Sequence, residues 1–573
     1  MTQQTATPDQ SAADWWRSAV VYQIYPRSFA DANGDGTGDL RGIIDRLDHL
    51  VELGIDALWI SPWYPSPLAD GGYDVADYRD IHPDFGDLAD ADELITKAHQ
   101  HGLRVLIDLV PNHCSDEHPW FAEALAAEPG SPERELFWFR DGRGDAGSEP
   151  PTNWEALFGG STWQRVLDSD NHPGQFYLHL FDVKQPDWNW DNPKVADEFD
   201  DILRFWFDRG VDGFRIDVAD SMAKDGSLPD LPLNKHTGFG ISKDKFPGAP
   251  LWDVHPQLEQ IHRRWRGVAD EYADSEQGAR VFVSEAYLEP VERLVSYVEP
   301  GRLHSTFNFD HLLSEWSAES LHNVITRSLR AHQQVGAPAT WVLSNHDTPR
   351  VATRYGKAET GSRFERDGVA PEHRGREWQH YTQFETDLAL GRRRARAAAL
   401  LELALPGGCY VYQGDELGLD EVEDLPAEVL QDPTWERSGH TVKGRDGCRV
   451  PIPWSGSQSP FGFGPSGTPW LPQPAHWSSL SVAAQTDDPG SHLNLYRTAL
   501  AERRRNPALG DGDLTWREGE HADLLGFDRE PGFRCMVNFG APVALPEGAE
   551  VLVHSGEAAS GKLGTDEAVW LKV

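Results

Sequence analysis

The chain has 573 residues, enough to bury a large core and to form one big domain with smaller ones attached. Its formal net charge of −40 at pH 7 argues against nucleic acid and anionic membranes as partners, because both would repel it. Only four cysteines occur, none of them at metal-ligand spacing, so we expect reduced thiols in a cytoplasmic protein. The polar start of the chain lacks the features of a signal peptide, and no apolar run approaches membrane-spanning length.

Short apolar segments of strand type recur along the chain, separated by stretches whose apolar residues follow helical spacing. Leu40–Leu53, Ala91–His101 and Ala196–Arg209 are predicted helices that precede such segments. Eight strands alternating with helices favour an α/β fold of the (β/α)8 TIM barrel type, with an open doubly wound sheet as the alternative. The predicted strands are Val20–Ile24, Ala57–Ile60, Val105–Val110, Gly213–Ile216, Val281–Val283, Thr306–Phe309, Trp341–Leu343 and Tyr410–Tyr412.

Three stretches are too long to be ordinary connections between a strand and the next helix. The first follows the third strand and predicts an inserted subdomain, and Arg350–Leu388 and Asp420–Ser491 follow the seventh and eighth strands. All three leave from the same end of the barrel, where they can wall a pocket. After about Asn506 short strands with turn signals predict a small antiparallel β domain. The predicted division is a barrel over 1–111 and 185–505, an inserted domain over 112–184 and a β domain over 506–573.

Four predicted strands are directly followed by, or end in, carboxylates. In parallel α/β barrels the carboxyl ends of the strands gather the catalytic groups. Charged residues rarely lie beside buried strands without partners, so this repetition predicts a functional pocket. Clustered carboxylates with no Cys or Ser nucleophile are the groups that glycosidic bond cleavage uses. The four segments are Asp108–His113, Gly213–Asp217, Ser284–Glu285 and Ser344–Asp347.

Separate chemical roles can be assigned to three of these carboxylates. Arg215 and Asp217 face the same side of a strand, and the guanidinium should keep the carboxylate ionised, as attack on an anomeric carbon requires. An ordinary structural ion pair is the alternative. Glu285 has no cation nearby in the sequence and could stay protonated in a desolvated site, as a proton donor must. Asp347 follows an Asn and a His that can hydrogen-bond sugar hydroxyls.

Taken together and in this order, the four segments resemble the signature regions of the α-amylase superfamily, glycoside hydrolase family 13, over nearly the whole chain. The resemblance implies a (β/α)8 barrel, a domain B inserted after the third strand and a C-terminal β-sandwich. It also implies that Asp217 is the nucleophile, Glu285 the acid/base and Asp347 the transition-state stabiliser. The other matched pocket residues are His113, Arg215 and His346 around the −1 sugar, and Asp108, which organises the site.

Within that family the chain is similar to the oligo-1,6-glucosidase and α-glucosidase branch. Asp70–Asp74 resembles the segment that closes the non-reducing end of the −1 subsite, which implies that Tyr73 stacks on the sugar and Asp70 binds its outer hydroxyls. Arg449 looks like the arginine that pairs with that Asp, and Gln185–Trp190 resembles another segment of the branch. The resemblance thus implies a retaining, exo-acting α-glucosidase that releases glucose from short α-1,4- or α-1,6-glucosides, with transglucosylation activity.

Linkage and acceptor stay open. Val218, directly after the nucleophile, accompanies α-1,6 activity in this branch but also occurs in relatives that act on α-1,4 bonds. Asp220 departs from the Asn, His or Lys that is common at its position beside the +1 sugar. The alternatives are an α-glucosyltransferase or glucoside isomerase using the same intermediate, and a non-catalytic amylase-like interaction module. The expected partner is a small oligosaccharide or α-glucoside, and the expected assembly a monomer or small homo-oligomer.

One acidic segment has the spacing of a calcium loop. Asp31, Asn33, Asp35, Thr37 and Asp39 occupy positions 1, 3, 5, 7 and 9 of an EF-hand-like loop, with a glycine at position six. The usual bidentate Glu is absent from position twelve, and a plain acidic turn is the alternative. The resemblance to the branch also implies structural Ca²⁺ here, with Thr37 contributing its backbone carbonyl.

Overall fold

A computed structural model describes residues 13–167, 172–230, 255–275, 277–288, 290–361, 383–465, 467–517, 522–556 and 561–573. Eight of its first eleven strands, all but the fourth to sixth, form one parallel sheet in which the neighbours follow chain order and the last strand pairs with the first. This pairing makes a nearly closed barrel, so the predicted barrel is confirmed and the doubly wound sheet is wrong. The strands are β1 (Val20–Ile24), β2 (Ala57–Ile60), β3 (Arg104–Leu109), β4 (Phe139–Arg140), β5 (Trp163–Leu167), β6 (Pro173–Leu178), β7 (Gly213–Ile216), β8 (Val281–Ser284), β9 (Ser305–Thr306), β10 (Thr340–Val342) and β11 (Gly408–Tyr412).

The observed helices agree with the predicted ones apart from a break in the first. One predicted strand is also shorter than expected. The predicted helix Leu40–Leu53 is two helices, because Arg46 leaves helical backbone angles between them. The predicted strand Thr306–Phe309 ends early, because the Asn308 side chain caps a helix that begins at Phe309. The helices are α1 (Leu40–Asp45), α2 (Leu47–Leu53), α3 (Leu88–Gln100), α4 (Pro119–Ala126), α5 (Pro193–Asp208), α6 (His255–Asp270), α7 (Val291–Val295), α8 (Phe309–Leu313), α9 (Ala318–Val335), α10 (Val351–Arg354), α11 (Leu388–Ala404), α12 (Pro433–Arg437), α13 (Val482–Thr486) and α14 (His492–Arg505).

The barrel strands are buried on both faces, so their side chains alternate between two cores. One set packs into a cluster of barrel residues that includes Val21, Trp59, Val283 and Tyr410. The other set packs in the large cluster that also holds the apolar faces of the surrounding helices. Polar side chains begin where the strands end, and the site lies there.

Two long connections cover that end of the barrel. Between β3 and α5, the strands β4, β6 and β5 form a small antiparallel sheet whose cluster of Trp and Phe side chains also includes Val218 of the barrel. The insertion Asp420–Ser491 is anchored by Trp454, whose Nε1 donates to the carbonyl of Phe29 at 2.7 Å. The insertion predicted over Arg350–Leu388 includes α10, and its residues 362–382 lie outside the described residues.

The C-terminal strands form two antiparallel sheets that pack against each other through one apolar cluster. This agrees with the predicted β domain, which contacts the barrel through Trp570, whose Nε1 donates to the Leu400 carbonyl at 2.9 Å. Among the helices of the described residues, none has the length and apolar character needed to cross a membrane. The strands are β12 (Thr515–Trp516), β13 (Leu524–Arg529), β14 (Phe533–Asn538), β15 (Val543–Ala544), β16 (Glu550–His554), β17 (Lys562–Leu563) and β18 (Glu567–Lys572).

The close approach of α10 and α11 gives a test of the packing. A Cβ at Gly391 would lie 1.8 Å from the carbonyl oxygen of Ala352. We expect Gly391→Ala to lower the free energy of unfolding by about 1–3 kcal/mol, because one helix must move away. Gly267→Ala on α6, where a Cβ meets no atom within 4 Å, is the control and should raise stability by about 0.5–1 kcal/mol. Equal urea midpoints for both variants would contradict this packing.

Candidate active site

The predicted catalytic carboxylates come together in one cavity of about 460 Å³. Asp217, Glu285 and Asp347 line it, each just beyond the carboxyl end of a barrel strand. The predicted sugar-binding residues Asp70, Tyr73 and His113 line the same cavity. Most of the rest of its described wall comes from domain B and from residues 348–357 and 421–448, so both flanking insertions contribute, and Val218 and Tyr287 complete it.

A single guanidinium lies between three carboxylates at the base of the cavity. Arg215 is about 1% exposed; its Nη1 lies 2.6 Å from Asp108 and 2.7 Å from Asp217, and its Nη2 lies 2.5 Å from Glu285. The indole of Trp59 faces the guanidinium at 5.1 Å and donates to Asp108 at 2.8 Å. Burial removes water from these carboxylates, so a nearby cation has to balance their negative charge, and Arg215 is a cation that all three contact.

The electrostatic environments of Asp217 and Glu285 differ in part from the prediction. Glu285 has a cation after all, since Arg215 reaches it from the neighbouring strand. Burial raises the pKa of Asp217 well above its usual range; Arg215 opposes this shift, while Glu285, which also hydrogen-bonds Asp217, and Asp108 add to it. Arg215 therefore lowers that pKa as predicted but does not by itself keep Asp217 ionised in the free cavity. One guanidinium therefore faces three buried carboxylates, and negative charge is in excess around it.

Asp347 has the opposite electrostatic environment. Arg445 Nη1 and Arg449 Nη2 each donate to its Oδ1 at 3.0 Å. Burial alone would raise the pKa of Asp347, but His346 and these two guanidinium groups hold it well below its usual range. Asp347 is therefore a fixed anion, in contrast to Asp217, whose pKa burial raises.

The arginine that pairs with Asp70 is Arg445, and not Arg449 as predicted from the sequence. Arg445 Nη2, not Arg449, donates to Asp70 Oδ1 at 2.6 Å, while Arg449 reaches Asp347 and the His346 carbonyl. Both arginines lie in one segment four residues apart, around a short 3-10 turn at Asp446–Cys448, and the turn directs them differently. Sequence spacing alone does not reveal this choice.

His346 is held as a neutral ring by aromatic stacking and burial. Its imidazole stacks on Tyr73 with ring centres 5.2 Å apart and planes 3° apart. Burial, with the charges of Arg449 and Arg215, lowers its pKa to about 3, although Asp347 opposes the shift. Gln23 Nε2 lies 2.6 Å from Nδ1, and with Gln23 as donor the proton is on Nε2, which lies 3.4 Å from Asp347 Oδ2.

Sequence reasoning missed several polar residues behind the matched ones. Gln185 Nε2 donates to Asp70 Oδ2 at 3.2 Å and lies 3.1 Å from His113 Nε2. Asp432 fixes Arg445 with an ion pair of 2.5 Å. Gln185 could have been found, because it opens a matched segment. Asp432 carries no sequence signal, since it lies in an irregular insertion.

In the loop predicted to bind calcium, acidic side chains accept hydrogen bonds from nearby backbone amides. Asp31 accepts from the amides of Gly34 and Gly36 at 2.6 and 2.9 Å, and Asp39 caps α1 by accepting from Gly42. The donor chemistry fits Ca²⁺, which prefers carboxylate, amide and carbonyl oxygens. Within the described part of the chain, however, no three acidic, His or Cys side chains converge closely enough to hold an ion. Calcium binding therefore stays a prediction.

The unusual Asp220 gives a pH-dependent test. It is buried beside the site, and burial foremost, with the Glu285 charge adding, raises its pKa to about 7. A carboxyl whose pKa is higher folded than unfolded costs stability once it ionises, and the cost grows as pH rises from about 4 to 7. We expect the stability advantage of Asp220→Asn to grow by about 2–3 kcal/mol between pH 5 and pH 8. The exposed Asp48→Asn is the control, and an advantage of Asp220→Asn that does not change with pH would contradict the assignment.

Comparison with known proteins agrees with this geometry. The family model for the α-amylase catalytic domain matches residues 23–369 and 379–512. A probable α-glucosidase of Rhizobium meliloti is 37% identical over 556 residues, which cover 96% of this chain and 93% of the relative. An oligo-1,6-glucosidase of Parageobacillus thermoglucosidasius is 34% identical over 528 residues, covering 86% and 84%. The crystal structure of an α-glucosyl transfer enzyme has a TM-score of 0.80 at 37% identity and covers 97% of this chain and 99% of its own. The chain belongs to the α-amylase family, glycoside hydrolase family 13, as the four strand-end segments predict.

Proposed function

We propose that the protein is a retaining, exo-acting α-glucosidase that releases glucose from the non-reducing end of short α-glucosides. The observation that carries this proposal is the contact of Asp217 and Glu285 with one guanidinium in the cavity. Relatives named α-glucosidase and oligo-1,6-glucosidase, similar over most of their length, support it.

The two carboxyl groups support retention of configuration. Retaining enzymes place their carboxyl groups about 5–5.5 Å apart, whereas inverting enzymes leave room for a water between them. Asp217 and Glu285 share Arg215 and hydrogen-bond each other, which favours the shorter separation. Asp217 attacks the anomeric carbon while Glu285 gives its proton to the leaving oxygen. Glu285 then takes a proton from water, which attacks the same carbon and frees Asp217.

The first step needs one proton and one anion from the pair Asp217–Glu285. When a glucoside enters, the leaving oxygen needs a donor and the anomeric carbon needs an anion. Glu285 supplies the proton and Asp217 the anion, and the two side chains are close enough to hydrogen-bond each other. His346 and the anionic Asp347 lie beside them and are suited to bind hydroxyls of the ring in the transition state.

A closed non-reducing end supports exo action. Arg445 joins Asp70 to Asp347 and also lies over the ring of Phe158 in domain B at 5.5 Å. Asp70 is bound from the other side by Gln185. A sugar chain extending beyond this point would have to break these contacts, so only a terminal glucose fits.

Transfer of glucose to another hydroxyl is a second candidate activity. A similar solved enzyme is described as an α-glucosyl transfer enzyme. Beside the carboxylates the cavity wall is apolar, with Phe158, Phe181 and Val218 among its lining residues. An apolar wall disfavours bound water, so an alcohol can compete with water for the glucosyl enzyme.

The stereochemistry of the first product tests the main proposal. Proton NMR during hydrolysis of p-nitrophenyl α-glucoside should show α-glucose first. Glu285→Gln should lower kcat on maltose about 10²- to 10⁴-fold, because the leaving sugar needs a proton, and the exposed Glu123→Gln should not. Maltotetraose should lose glucose units singly. β-Glucose as first product, or maltose as first fragment, would contradict the proposal.

We also propose that the loop Asp31–Asp39 binds calcium away from the chemistry, supported by its donor set. Millimolar Ca²⁺ should raise the melting temperature relative to EDTA, because an ion that binds only the folded state stabilises it. Asp35→Ala removes an exposed donor and should abolish the difference, whereas Asp48→Ala should keep it. A melting temperature that calcium and EDTA leave unchanged in the parent protein would rule out the site.

A further inference from the structure

A turn of the C-terminal β domain presents a buried carboxylate to the barrel. Asp566 lies between β17 and β18 with a φ of +58°, in the left-handed region of the backbone. Aspartate tolerates this region better than most residues do, but glycine adopts it at no steric cost. The side chain of Asp566 is buried, so protein groups have to balance its charge. The backbone alone would favour glycine here, and the contacts of the carboxylate supply the reason for an aspartate.

The carboxylate contacts two separate segments outside the β domain. Trp316, just before α9, donates from its Nε1 to Asp566 Oδ1 at 2.6 Å. Arg394 on α11 places its Nε 3.1 Å from the same oxygen, and the neighbouring Arg393 places its Nη2 3.7 Å from Oδ2. One carboxylate thus holds an indole and a guanidinium together.

Both of these partners contact Tyr355, the residue directly after α10. Arg394 Nη1 donates to the Tyr355 carbonyl at 3.1 Å. The indole of Trp316 lies against the Tyr355 ring, with ring centres 5.2 Å apart and planes 41° apart. Tyr355 is fully buried, so its ring cannot shift without displacing its neighbours. Asp566 therefore holds the C-terminal end of α10 in two ways, through the carbonyl and through the ring.

Helix α10 is part of the cavity wall. Thr353 and Arg354 on α10, and Lys357 shortly after it, line the cavity. Thr353 Oγ1 also accepts from the amide of Glu421 at 2.8 Å, so α10 contacts a further lining residue. The terminal glucose is proposed to occupy the end that Arg445 closes. Its leaving group then extends into the remaining part of the cavity, which these residues help to line.

We infer that Asp566 is a positioning residue through which the C-terminal β domain sets the position of α10 and, with it, the fit of the leaving group in the cavity. The effect on the leaving group rests on the proposed function, whereas the position of α10 does not. A contact that only joins two domains would stabilise the protein without a particular effect on α10 or on one kind of substrate. The tests therefore compare α10 between two domain contacts and compare small with large leaving groups.

The position of α10 is tested by amide hydrogen exchange, followed by mass spectrometry of peptides that cover residues 351–357. Asp566→Gly removes the carboxylate and suits the backbone of the turn. We expect exchange in these peptides to become at least about threefold faster, because the end of the helix loses two supports. Arg396→Met is the matched control, since it removes another bond between α11 and the β domain, from Arg396 Nε to the Ser555 carbonyl at 2.6 Å.

Exchange of α10 should be unchanged in Arg396→Met. Unchanged exchange in Asp566→Gly, or the same increase in both variants, would overturn the inference. If Asp566→Gly does not fold, Arg394→Met breaks the same path from the barrel side and leaves the turn intact. The same increase is then expected of Arg394→Met, and its absence would overturn the inference.

The effect on the leaving group is tested with α-glucosyl fluoride, p-nitrophenyl α-glucoside and maltose. Fluoride is a single atom that needs no contact with α10, whereas nitrophenol and glucose fill the space beside it. We expect Asp566→Gly to lower kcat/KM about 5- to 20-fold on the two larger substrates and less than about twofold on the fluoride. Arg396→Met should leave all three values unchanged.

The same fall on all three substrates, or no fall on any, would overturn the assignment of Asp566 to the leaving group. If the parent protein cleaves no glucoside, the proposed function fails, while hydrogen exchange still tests the position of α10.

Discussion

The site depends on one buried cation shared by three carboxylates. The strand register brings this about, since Asp108 on β3 lies directly beside Arg215 on β7, and Ser284, just before Glu285, lies beside Ile216. Parallel pairing thus delivers an anion from each neighbour to one guanidinium. Removing the guanidinium would leave uncompensated charge among buried side chains, so the positions of all three carboxylates depend on it.

The excess of negative charge around Arg215 has a chemical consequence. Burial, together with the charges of Glu285 and Asp108, raises the pKa of Asp217, and the single guanidinium of Arg215 opposes this shift. Across the cavity Arg445 and Arg449 create the opposite condition and keep Asp347 ionised. The two sides of the cavity therefore differ in electrostatic environment, because Asp217 shares one guanidinium with two other carboxylates whereas Asp347 meets two guanidinium groups.

The strand ends, and with them the carboxylates proposed to be catalytic, were predictable from the sequence because apolar runs mark buried strands and a charge at their end needs a reason. Two predictions were wrong for a common reason: the arginine assigned to Asp70, and the absence of a cation near Glu285. Both depend on contacts between segments distant in sequence, Asp70 with Arg445 and Glu285 with Arg215. Local pattern does not encode which of two nearby side chains points inward.

The most direct test of the account is to trap the glucosyl enzyme. Active protein treated with 5-fluoro-α-glucosyl fluoride, digested and analysed by mass spectrometry, should carry one added fluorohexosyl group on the peptide that contains Asp217. Asp217→Asn should carry none. A label on another residue, or full inactivation without any covalent sugar, would contradict the central claim that Asp217, held by Arg215, bonds to the substrate.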